Sequence, residues 1–148
     1  MEVNIYININ FKGSLKYGTG TCCIVLEYIT ANGPAVREIY KTITQTSKNR
    51  TALIACIIAL KHLTKQCIVN LYIDNNYVTE PINQNWIDGW GRTNKSRKNM
   101  ELWGILLPEL EKHKVQVTYQ ETNPYTTYMQ TKLKRIEPTI MEDRKEQI

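Results

Sequence analysis

Between Ala52 and Leu60 the chain reads ALIACIIAL, nine residues with no charged side chain and nothing more polar than a thiol. Ser47 offers an N-cap just upstream, and Asn49 to Leu63 reads as one helix. A surface helix carries a single apolar stripe. This one is apolar nearly all round, through Ala52, Leu53, Ile54, Ala55, Ile57, Ile58, Ala59 and Leu60, so it has to be buried on every side. Nine apolar residues are less than half of the about 20 needed to cross a bilayer, so protein must provide the cover. A sheet packed across the helix fits that need.

The strands are legible from their period. VNIYININF sets Val3, Ile5, Ile7 and Ile9 on one face and Asn4, Tyr6, Asn8 and Asn10 on the other. Gly13, Gly18 and Gly20 mark a turn before TCCIVLEYI, and Ala31-Asn32-Gly33-Pro34 marks another before AVREIYKTIT. Three strands with short connections predict an antiparallel meander. After the helix come a short apolar strand, CIVNLYI, ending at Asp74, and a short helix from Asn75 to Asn83. A basic loop leads to a helix from Asn99 to Lys112. A fifth strand from Lys114 to Gln120 alternates Val115, Val117 and Tyr119, and a last helix spans about Thr126 to Ile136. The order is βββαβααβα, an α/β fold whose five-stranded mixed sheet carries helices on both faces.

The chain has 148 residues and 42% hydrophobic composition, which suits one core of ordinary size. We expect one domain over 1–137 and a charged tail over 138–148, where Pro138 would interrupt a helix. No charged start leads into an apolar stretch and a small-residue cleavage site, so a cytoplasmic location without membrane attachment is the expectation. Cys22 and Cys23 are adjacent and would face opposite sides of a strand, and Cys56 lies in the apolar helix as a small hydrophobe. Neither His62 nor His113 lies near a cysteine pair, so no zinc spacing is present and reduced thiols are expected.

Net charge is +5 and the isoelectric point about 9.0, which permits an anionic partner. The segment GRTNKSRKN concentrates Arg92, Lys95, Arg97 and Lys98 without an acid, and Trp86, Trp90 and Trp103 bracket it. A solvated loop beside ordinary core aromatics has the same composition as a phosphate-binding loop.

The element order and three strings resemble ribonuclease H of the type that cuts the RNA strand of RNA–DNA hybrids. TSKNRTALIACIIAL, Thr46 to Leu60, resembles the family's Thr-x-Asn-Arg-x-Glu-Leu entry into its central helix. VNLYIDNNYV, Val69 to Val78, resembles the fourth strand ending in an aspartate. KNMELW, Lys98 to Trp103, resembles the return to helix after the family's basic protrusion. The resemblance implies a ribonuclease H-like fold, with an antiparallel 1-2-3 meander and parallel strands 4 and 5, from Val3 to Arg135.

It also implies a centre of four carboxylates that hold two magnesium ions on a phosphate. Only Asp74 supplies one. Asn8 (or Asn10, if the register slips by one polar position), Ala52 and Thr131 occupy the other three positions, and Asn123 stands nearest the place of the family's mobile histidine. One carboxylate can bind a single hydrated magnesium weakly but cannot hold a bridged pair. No cofactor is therefore expected, with magnesium only if activity persists, for instance through Glu121 at the end of the fifth strand. Asp74 has a competing reading as the N-cap of the short helix that follows.

By resemblance, Asn10, Lys48, Asn49, Asn76, Arg92, Lys95, Arg97 and Lys98 are candidate nucleic-acid contacts. Asn49 and Asn76 have the alternative of polar positions at helix starts. Arg50, beside Lys48, sits against the helix dipole, a hint that it answers to a ligand. Tyr125 and Tyr128 are expected to pack. The expected function is a catalytically degenerate ribonuclease H-like protein that binds RNA–DNA hybrid or duplex without cutting it. The alternatives are a protein-interaction or scaffold module with an unidentified protein partner, and an active hybrid ribonuclease with a rewired metal site.

Overall fold

Two long strands, β1 (Glu2–Gly13) and β2 (Gly18–Thr30), pair antiparallel over their whole length, and β3 (Gly33–Thr46) continues the meander. The computed structural model describes residues 1–14, 17–84, 98–135 and 137–144. The chain then forms α1 (Lys48–Lys61), β4 (Ile68–Ile73), α2 (Asn76–Asn83), α3 (Met100–Lys112), β5 (Lys114–Tyr119), α4 (Thr126–Leu133) and β6 (Thr139–Glu142). Strand order across the sheet is β5-β4-β1-β2-β3-β6. Strand β4 runs parallel to β1 with Ile7 opposite Ile73, and β5 runs parallel to β4 with Ile73 opposite Tyr119.

Alternation along β1 divides the molecule into two cores. Val3, Ile5 and Ile7 join Cys22, Ile24 and Leu26 beneath α1, which is buried from Arg50 to Leu60. Trp103 and Leu106 of α3 close that layer. On the opposite face Tyr6, Cys23 and Val25 pack with Met129 of α4, and Tyr6 stacks on Tyr72 with ring centroids 5.1 Å apart. Cys22 and Cys23 thus face opposite layers, as their adjacency requires. All four cysteines are free. Burial pushes the Cys22, Cys23 and Cys56 thiols up to about 12, well above the range of a reactive thiolate. No helix among the described residues is long and apolar enough to cross a membrane.

The sheet has six strands rather than five. The segment expected as a charged tail contributes β6, which pairs parallel with Lys41 to Thr44 of β3. Met141 enters the main core, and the Asp143 side chain is 2% exposed. Burying Met141 and pairing Asp143 stabilise a segment whose charged composition gave no periodicity to read.

Candidate functional site

The parallel strands β1, β4 and β5 end together. One residue beyond the Ile7–Ile73–Tyr119 row stand Asn8, Asp74 and Gln120, with the Gln120 amide donating to the Ile73 carbonyl at 3.1 Å. The carboxyl ends of parallel strands are where open α/β sheets place ligands. Asp74 is exposed there. It does not cap α2. Asn75 takes that role, its Oδ1 accepting from the Val78 amide at 3.1 Å, because Asn75 and not Asp74 is the extended residue adjoining the first helical position. The neighbouring Asp74 carboxylate, with desolvation and Glu121 adding to it, pushes the Tyr119 phenol up to about 12. Tyr119 donates to Glu121 Oε1 at 3.4 Å. Sequence reasoning passed over Tyr119, whose place in the β5 alternation looked purely structural.

Asn75 Nδ2 reaches Asn49 Oδ1 at 3.4 Å, which sets the start of α1 against the start of α2 beside Asp74. Ala52 follows Asn49 by three residues, fully buried, with a methyl group where the resemblance places a glutamate. Thr131 lies exposed on α4, flanked by Lys132 and Lys134. Asn123 builds the turn that opens α4. Its Oδ1 accepts from the Tyr125 amide at 2.8 Å and its own amide donates to Thr126 Oγ1 at 2.9 Å. These residues do not fit a paired-magnesium centre. Asp74 is the one carboxylate at the four positions, and the buried atoms left without a partner in this row are Asn8 Nδ2, a donor, and Gln120 Oε1, a single neutral acceptor, too little anionic oxygen for two dications. Among the described residues no group of three or more His, Cys, Asp and Glu side chains stands in metal-binding proximity.

A cleft of about 750 Å³ opens at the N-terminus of α1, lined by residues that include Phe11, Tyr17, Lys48, Asn49, Lys98 and Arg144. Lys48 and Lys98 are exposed. The cations, the amides of the first α1 turn and the helix dipole all favour an anion here. Arg50 is not one of the free cations. It is 5% exposed, and its Nε and Nη2 donate to Asp143 at 2.7 and 3.0 Å. It also pairs with Glu101 and donates to Asn99 Oδ1 at 3.0 Å. Its charge therefore answers to a buried acid rather than to a ligand. Asn99 passes the link on, donating from Nδ2 to the Tyr77 hydroxyl, which in turn donates to the Lys98 carbonyl, each at 3.0 Å. Arg92, Lys95, Arg97, Trp86 and Trp90 lie outside the described residues. Trp103 is 1% exposed and belongs to the core.

A second groove of about 520 Å³ flanks the other side of the β1 end, lined by residues that include Asn10, Lys12, Thr21, Thr42, Gln130 and Lys134. Asn10 thus belongs to this groove and Asn49 to the cleft, while Asn76 is exposed on α2 and accepts from Thr79 Oγ1 at 3.4 Å. Tyr125 packs on Tyr6, 5.2 Å between centroids, whereas Tyr128 is 43% exposed with Lys132 Nζ 5.3 Å from its ring centroid.

The RNase H family model matches residues 8–122 of this chain. Among relatives, the chain is 36% identical over 122 residues to a protein named Ribonuclease H from Lachnoclostridium phytofermentans, covering 78% of this chain and 77% of that one. A protein of the same name from Chlorobium phaeovibrioides is 34% identical over 134 residues, 84% and 89% of the two chains. Among solved structures, LC9-RNase H1, described as a type 1 RNase H with the type 2 active-site motif, superposes with a TM-score of 0.72 at 20% identity over 87% of this chain and 68% of that one. The foamy viral protease-reverse transcriptase in complex with dsDNA gives 0.65 at 14% identity, covering 87% of each chain. At such identities the structural likeness speaks for the fold alone.

Proposed function

The chain belongs to the ribonuclease H family, and we propose that it binds RNA–DNA hybrid or duplex nucleic acid without metal-dependent cleavage. The observation that carries this reading is the split between two neighbouring places. The family's carboxylate positions hold Asn8, Ala52 and Thr131 beside the lone Asp74, while the cleft at the start of α1 keeps Lys48, Lys98 and Asn49. Recognition of A-form-like duplexes works through backbone shape and 2′-hydroxyls across a shallow groove. Amides and cations serve that purpose, and phosphate contacts carry affinity without sequence information. Fewer carboxylates near the phosphates also means less repulsion when no metal is bound.

A second reading, a working nuclease with altered ligands, draws support from the relatives' name and from Glu121, whose Oε1 accepts from the Tyr119 hydroxyl at 3.4 Å near Asp74. Magnesium would serve only in that case. One experiment separates the two. Titrating the full chain against hybrid, duplex RNA, duplex DNA and single strands at two salt concentrations, with cleavage followed on the same samples, is expected to give salt-sensitive binding and intact strands in magnesium or manganese. Metal-dependent cleavage that disappears in Asp74→Asn would establish the second reading.

A further inference from the structure

After α4 the chain passes from one face of the sheet to the other. Met129 and Leu133 pack on the face of Tyr6 and Cys23, Pro138 borders the groove that holds Asn10, and β6 runs along the β3 edge. Asp143 then reaches the start of α1, its amide donating to the Thr44 carbonyl at 3.1 Å. Its carboxylate accepts from Thr46 Oγ1 at 2.7 Å as well as from both Arg50 nitrogens. This fork-on-fork pairing of a guanidinium with a carboxylate fixes direction as well as distance. The next residue, Arg144, has φ +75°, a left-handed conformation that a side chain bearing a Cβ adopts only where its surroundings hold it. That turn ends the strand and leaves Arg144 lining the cleft with Lys48, Asn49 and Lys98. The segment from α4 through Arg144 lies beyond residue 122, where the family-model match ends.

The charges around the cleft separate into two groups. Arg50 is buried and neutralised by Asp143. Arg144 is exposed, and Glu101, held below its ordinary value against desolvation chiefly by hydrogen bonding from Arg50, owes only a minor part of that shift to Arg144. Glu101 is itself 63% exposed and paired with Arg50, so solvent and a second cation both dilute its hold on Arg144. We propose that the C-terminal strap is part of the nucleic-acid grip, with Arg144 a phosphate contact of the cleft and the buried Asp143–Arg50 pair the device that positions it. The inference rests on the nucleic-acid reading above and adds a contact to it.

The test uses the full chain and its Arg144→Ala, Arg144→Glu and Arg144→Lys variants, titrated with a fluorescent RNA–DNA hybrid across a salt series, with melting temperatures on the same preparations. Arg144→Ala should weaken binding several-fold and lower the salt slope by about one. Arg144→Glu should weaken it further, and Arg144→Lys should retain most of both. Melting temperatures should stay level, because the side chain is exposed. Wild-type affinity and slope in Arg144→Ala would overturn the inference and leave the nucleic-acid reading standing. Affinity lost only together with melting temperature, and not recovered by lysine, would make Arg144 structural and overturn it as well. A wild-type chain that binds no hybrid or duplex at any salt concentration would overturn both.

Discussion

Arg50 carries a full charge into the packed start of α1, and Asp143, 93 residues away in sequence, is the acid that meets it. Hydrogen bonding to the Asp143 carboxylate raises the guanidinium's affinity for its proton despite burial. Burial alone would raise the Asp143 carboxyl, but hydrogen bonds from Arg50 and Thr46 and the guanidinium charge hold it below the ordinary carboxylate value. A depressed carboxyl contributes stability that is present above its unfolded pKa of 3.8 and lost as pH falls through the folded value. Asp143→Ala leaves the buried Arg50 with only the exposed Glu101 as counter-charge and is expected to cost about 2–4 kcal/mol in urea unfolding near neutral pH. The variant should also lose less stability than wild type between about pH 5 and pH 2. Replacing both partners, Arg50→Met with Asp143→Leu, should recover much of the loss, since well-packed apolar groups often match a buried pair. Sequence alone could place Arg50 against the helix dipole but could not name its partner. An ion pair between distant segments leaves no period in either.

At the scale of elements, the contact that sets α1 on the sheet is a glycine. A Cβ on Gly20 would lie 2.1 Å from Thr51 Oγ1 and 2.9 Å from Thr51 Cβ, so β2 and α1 touch where a side chain is missing. Thr51 cannot easily swing away, because its hydroxyl donates to the Ser47 carbonyl at 2.8 Å in the turn where Ser47 Oγ caps Arg50 at 3.1 Å. Gly20→Ala should therefore destabilise by about 1–3 kcal/mol through overpacking, and Gly20→Ala with Thr51→Ala should regain part of it. Thermal unfolding of the two variants measures both effects, and additive losses would argue against the contact. The sequence marked Gly20 as turn punctuation, whereas it lies inside β2. A glycine selected by an approaching helix and one selected by a turn are the same letter. The helix itself was readable, because an apolar run without a polar stripe has no solvent-facing solution.

For the whole molecule, the question is whether the scaffold would orient a metal cage if carboxylates stood at the positions the resemblance assigns. Asn8→Asp, Ala52→Glu and Thr131→Asp, with Asp74, would make four carboxylates at the positions the resemblance assigns. Calorimetry on this variant should show magnesium or manganese uptake well above wild type. Without metal its melting temperature should fall, since Ala52 is fully buried and clustered carboxylates repel one another. Uptake no greater than wild type would count against the residue matching on which the site rests. That matching drew on short strings whose chemistry is local: Asp74 at the end of an apolar strand, Asn49-Arg50 at a helix entry, Lys98-Asn99 at a helix return.

The sequence by itself determined the alternation of the strands and the buried central helix. Each of these is a property of neighbouring residues, and backbone geometry converts near neighbours directly into faces and turns. Tertiary structure decided that Asn75 rather than Asp74 caps α2, that the Tyr119 hydroxyl meets Glu121 near Asp74, and that Thr139–Glu142 forms a sixth strand followed by the acid that secures Arg50. Those outcomes depend on which distant groups arrive within hydrogen-bond reach. Burial then makes each such meeting costly to leave unmatched, and no local pattern in the chain records it.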